Sequence, residues 1–96
     1  MSRFVLAKSA ARDIREIYTY IAADRLQAAS KVRKRIFTAL QRIADHPGIG
    51  HTREDFTSRP VLFWPAGCYL IVYDPEARPV RIIRVLDGAR DVTALV

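Results

Sequence analysis

Residues 61–86 read VLFWPAGCYLIVYDPEARPVRIIRVL, and they hold three runs rich in aromatic and branched side chains. Val61 to Trp64, Cys68 to Asp74 and Val80 to Leu86 have the composition of strands. Pro65-Ala66-Gly67 and Pro75-Glu76-Ala77-Arg78-Pro79 separate them, and links this short join consecutive antiparallel strands. Alternation sends Leu62 and Trp64 to one face and Val61 and Phe63 to the other. It likewise opposes Tyr69, Ile71 and Tyr73 to Cys68, Leu70 and Val72. Both faces of this sheet are therefore largely apolar. Tyr69 and Tyr73 share a face and are expected as core or groove lining, and Cys68 as a small buried hydrophobe.

Upstream, His46 to Pro60 carries Gly, Pro, Thr, Ser and Asp in the pattern of a loop. Before it, Ala29, Val32, Ile36, Ala39, Leu40 and Ile43 fall on one side of a helix that should end near Asp45. Lys31, Lys34, Arg35, Thr38, Gln41 and Arg42 share the opposite side. Such a face is either solvated surface or a binding face for nucleic acid or an acidic partner. A further helical stripe, Ala10, Ile14, Ile17, Tyr18 and Ile21, lies opposite Arg12, Arg15, Glu16 and Thr19. Ser9 is expected to cap this helix and Asp24 to break it and start the next, while Tyr20 falls on neither face. Phe4, Val5 and Leu6 read as a short first strand. The order is β-α-α-β-β-β, an α+β fold with a helical hairpin on one face of a mainly antiparallel four-stranded sheet. Two helices cover one sheet face, and Arg81 and Arg84 alternate on the last strand. The other face is thus expected to be an apolar, Arg-studded surface that receives a strand or helix from another protein.

The chain has 96 residues, which is one domain over 1–96. Sixteen Lys and Arg against ten Asp and Glu give a net charge of +6, which favours anionic partners. Residues 1–48 hold ten basic and four acidic side chains and residues 49–96 six of each, so the excess is N-terminal. The longest apolar run, Cys68 to Tyr73, is far below the roughly 18 residues of a membrane span. With no signal-peptide core at the N-terminus, a cytoplasmic protein without a membrane partner is expected. One cysteine excludes an internal disulfide. His46 and His51, five apart with no nearby Cys, match no zinc spacing, and no metal or other cofactor is expected.

Four segments in this order, ARDIREIYTYI (11–21), IADHPGIG (43–50), YLIVY (69–73) and IRVLDGARD (83–91), resemble the RelE/ParE superfamily of bacterial type II toxins, and are more similar to its ParE branch. The resemblance implies a toxin that inhibits DNA gyrase, traps it on cleaved DNA and blocks replication, in the setting of growth inhibition and plasmid stabilisation. It also implies a cognate ParD-like antitoxin, bound in a hetero-oligomer, whose C-terminal segment folds over the toxin surface. The RelE branch implies instead cleavage of messenger RNA in the ribosome, an activity that needs a base, an acid and cations for the phosphorane. Arg59, Arg81, Arg84 and Arg90 supply charge and Glu54 or His51 a base. No His or Tyr follows Tyr73 to serve as acid, and no catalytic residue is assigned. Asp87 stands where ParE-like chains commonly have a His, so it takes no role from them. A third reading, a nucleic-acid-binding module, would use the basic helix face. Arg81, Arg84 and Arg90 are the candidate target contacts, with surface ion pairs to Glu76, Asp87 or Asp91 as their alternative role. Tyr20, Phe37 and Trp64 are the candidate antitoxin anchors, with core packing as the alternative for Phe37 and Trp64.

Overall fold

The computed structural model describes residues 3–88. It contains β1 (Phe4–Leu6), α1 (Lys8–Ala22), α2 (Leu26–Asp45), a 3-10 turn (Pro47–Ile49), β2 (Leu62–Ala66), β3 (Tyr69–Asp74) and β4 (Val80–Asp87). The four strands form one sheet in the order β1-β4-β3-β2. β1 runs parallel to β4, and the two hairpins β2-β3 and β3-β4 are antiparallel, so the sheet is mixed with a mainly antiparallel body. The β-α-α-β-β-β order and the helical hairpin on the sheet are as the apolar periodicity predicts.

The helices cover one face. Ala10 and Ile14 of α1 and Ile36, Ala39, Leu40 and Ile43 of α2 pack on Ile71, Tyr73, Val80, Ile82 and Val85, all buried. At about 25 cal/mol per Å² of apolar area removed from water, this layer is the main source of stability. The opposite face carries a smaller buried cluster of Val61, Phe63, Val72 and Leu86. The expected open groove is not there. Phe56, from the segment before β2, lies over this face with its ring 6.0 Å from that of Phe63. The segment expected as a loop thus adds cover to this face through Phe56.

Several local expectations are corrected. β2 runs through Pro65 and Ala66, and only Gly67 and Cys68 make the turn to β3. The two-residue turn is possible because Gly67 takes φ +64°, a conformation that a side chain disfavours. Pro65 is accommodated because β2 is an edge strand, where a missing N–H costs no ladder bond. Cys68 consequently sits in the turn and is exposed rather than buried. Ser9 does not cap α1, whose N-cap position is Ala7 without a side-chain bond. Ser9 Oγ donates instead to the Ile83 carbonyl at 2.7 Å. Asp24 lies in the turn between the helices, and Arg25 rather than Asp24 occupies the N-cap of α2.

Candidate functional site

α2 builds one candidate surface. Its buried stripe faces the sheet and turns Lys31, Arg33, Lys34, Arg35 and Arg42 outward, all exposed. On one flank, Phe37 is half-buried, its ring 6.3 Å from that of Phe4 and 4.8 Å from the Arg33 guanidinium carbon. Phe37, Tyr18 and Lys34 line a shallow cavity there. On the other flank, Trp64 stacks on His51, with ring centres 6.1 Å apart and planes 25° apart. Trp64 and Pro65 of β2 face Lys31, Lys34, Arg35 and Arg42 across a groove of about 540 Å³. Phe37 and Trp64 are thus partly core and partly surface, on opposite sides of the same basic ridge. Tyr20 is not with them. It is 81% exposed and borders a separate cleft with Asp13, Glu16, Tyr69 and Asp87.

β4 carries the candidate target contacts. Arg81 is exposed, beside Val5 of β1 and Asp74 of β3 in the register. Between Ile82 and Arg84 the β3-β4 ladder slips by one residue, which interrupts the strict alternation expected for Arg81 and Arg84. The Arg84 guanidinium is held by Asp13 of α1 in two bonds, 2.7 Å from Nε and 3.1 Å from the terminal nitrogen. Asp13 also accepts the Val85 N–H at 2.9 Å. β1 pairs with β4 only as far as Ile82, and beyond that point α1 takes over the strand edge. The Ala7 N–H bonds the Ile82 carbonyl, Ser9 bonds that of Ile83, and Asp13 takes the N–H of Val85. Asp13 is the residue that sequence reasoning missed. Its signal is the spacing of Ser9 and Asp13, one helical turn apart beside the buried Ala10 and Ile14. Arg90 lies outside the described residues.

The Pro47-Gly48-Ile49-Gly50 turn is fixed from below by Tyr73. The buried phenol donates to the Pro47 carbonyl at 2.6 Å and accepts the Gly50 N–H at 2.9 Å. Burial pushes its pKa above 10.0, opposed by the Gly50 hydrogen bond. Both bonding directions are used within the fold, so this hydroxyl is a structural pin and not an acid aimed at a substrate. Gly50 cannot carry a side chain here, since a Cβ would stand 2.6 Å from Tyr73 Oη and 2.9 Å from Leu62 Cβ.

The remaining charged geometry is peripheral. Arg53 pairs with Asp55 at 3.0 Å and lies 3.9 Å over the Phe56 ring. Their mutual hydrogen bond raises the Arg53 pKa and lowers that of Asp55, but the pair is open to solvent and screened. His51, a base candidate for RNA cleavage, packs beside β2, while Arg84 sits on β4 with β3 between them. Among the described residues no group of three or more His, Cys, Asp or Glu could hold a metal ion. No helix among them is long and apolar enough to cross a membrane.

Comparison with known proteins finds a family and similar solved structures. The family model described as the ParE toxin of the type II toxin-antitoxin system, parDE, matches residues 4–92. A solved chain of the chromosomal ParDE TA system from P. aeruginosa superposes with a TM-score of 0.73 at 17% identity, covering 91% of this chain and 96% of that one. At that identity the likeness shows a shared fold. No curated protein sequence matches.

Proposed function

Because this chain belongs to the ParE toxin family of type II toxin-antitoxin systems, we propose that it inhibits DNA gyrase and blocks replication, and that a cognate ParD-like antitoxin neutralises it by binding its surface. The family match across nearly the whole domain carries this reading. The geometry supports it in two ways. Arg81 stands in solvent on β4, and the Arg84 guanidinium, partly exposed, is held in one orientation by its ion pair with Asp13, so a target would meet one open cation and one already paired. In this reading Arg81, Arg84 and Arg90 contact the target. Phe37 and Trp64 flank the basic face of α2, and Tyr20 projects from α1, so all three offer partly or wholly exposed aromatic area to the antitoxin.

Inducible expression in bacteria tests the function. Growth should stop, cells should elongate with an induced DNA-damage response, and co-expression of the antitoxin encoded beside the toxin should restore growth. The Arg81→Ala variant should fold normally and arrest growth less. Arrest accompanied by cleaved messenger RNA on ribosomes, without a DNA-damage response, would replace gyrase with the ribosome as the target.

A further inference from the structure

We infer that the groove between α2 and β2 binds a single strand of nucleic acid, its phosphates on Lys31, Lys34, Arg35 and Arg42 and an unstacked base against the part of Trp64 that lines the groove, on the ring that already stacks on His51. The four cations line one wall of the groove and Trp64 and Pro65 the other. From Lys31 to Arg42 the row extends about 16 Å at about 1.5 Å per residue, enough to follow several successive phosphates. Residues 25–44 contain no Asp or Glu. Among the described residues no ion pair joins Lys31, Lys34, Arg35 or Arg42 to a carboxylate. Arg35 is further positioned by the β2-β3 turn: its Nη1 would lie 3.2 Å from a Cβ on Gly67.

Two features favour a nucleic-acid strand over an acidic peptide. The outward face of α2 from Lys31 to Arg42 has no exposed large apolar side chain; among the described residues those are Val5, Tyr20 and Leu26. The apolar wall that β2 gives the groove is confined to the Trp64–Pro65–Ala66 stretch, a single contact point rather than the i, i+3, i+4, i+7 row that an amphipathic acidic helix needs. An antitoxin anchored on Trp64 and a strand held there would therefore compete. The groove offers instead a cationic track with one aromatic wall, the combination by which single strands are held through phosphates and base stacking. This site does not depend on gyrase being the target, and it predicts that the toxin itself touches DNA or RNA.

Trp64 is the one tryptophan of the chain, so its fluorescence reports on the groove directly. The purified full chain is titrated with a mixed-sequence 20-nucleotide single strand, following both Trp emission and the anisotropy of a labelled strand, at several salt concentrations. Quenching is expected, with affinity falling at a log-log slope of about −3 for four phosphate contacts. Lys34→Glu with Arg35→Glu, whose exposed positions leave the fold intact by circular dichroism, should lower affinity at least about 25-fold at 0.1 M salt and about halve the slope. Absence of binding overturns the proposal. So does a flat salt response, and so does duplex binding equal to that of the single strand with Trp emission unchanged. Binding of poly-glutamate but not of the oligonucleotide assigns the groove to an acidic peptide instead.

Discussion

Tyr73 ties the family-like segments 43–50 and 69–73 together, since its hydroxyl joins the Pro47 carbonyl to the Gly50 amide. Replacing Tyr73 with Phe leaves both groups unpaired and should cost about 1–3 kcal/mol in chemical denaturation. The phenol also gives that cost a pH signature. Its folded-state pKa is raised above 10.0, so its contribution is complete below pH 10 and is lost as pH rises through the higher folded value. The gap between wild type and Tyr73→Phe should therefore be constant below pH 10 and close above it; a gap that widens would contradict the buried, neutral phenol. Gly50→Ala should destabilise by a comparable amount, about 1–3 kcal/mol, because the new methyl meets Tyr73 and Leu62. Tyr20 gives the cleanest test of the antitoxin surface. At 81% exposure its replacement by Ala should leave Tm unchanged, and loss of antitoxin affinity by about 2 kcal/mol would mark it as an anchor. At this scale the sequence discloses Tyr20, whose angular position decides its exposure, but not Asp13 or Tyr73, whose roles depend on residues more than twenty positions away.

α1 serves two functions in the fold: its apolar stripe covers the sheet, and its Ser9 and Asp13 complete the edge of β4 where β1 stops. Removing the Asp13 carboxylate strands the Val85 N–H and breaks its two bonds to Arg84. Asp13→Ala should destabilise by about 2 kcal/mol or more, whereas Ser9→Ala, losing one part-buried bond to Ile83, should cost about 1 kcal/mol. If the Arg84 orientation matters to the target, Asp13→Ala should also reduce toxicity beyond its effect on folded protein, measured as gyrase inhibition per folded molecule. The elements themselves are legible because period 3.6 and period 2 are strong signals in residues 8–45 and 61–86. Their ends are not. Pro65 looks like a break until the sheet order makes β2 an edge, and Cys68 looks like strand until Gly67 turns the chain before it. The ladder slip at Ile83 leaves no mark in composition at all, yet it governs where Arg84 points.

Across the whole molecule, the covered and uncovered surfaces divide by charge and by apolar content. The sheet face away from the helices, expected as an open groove, is largely closed around Phe63 with Phe56 over it, which moves the exposed chemistry to α2, to the Tyr20 cleft and to Arg81. The fold and its family are readable from the ordered segments; the target is not, since one fold carries different activities and the proposed target contacts, such as Arg81, have no geometric signature in the sequence. The most direct measurement is supercoiling of relaxed plasmid by purified gyrase with and without the chain, scoring both lost supercoiling and protein-linked DNA breaks. Inhibition with accumulated breaks, reversed by the antitoxin and weakened in Arg81→Ala, is the predicted result. Full supercoiling and no breaks at an excess of folded toxin would contradict a gyrase inhibitor.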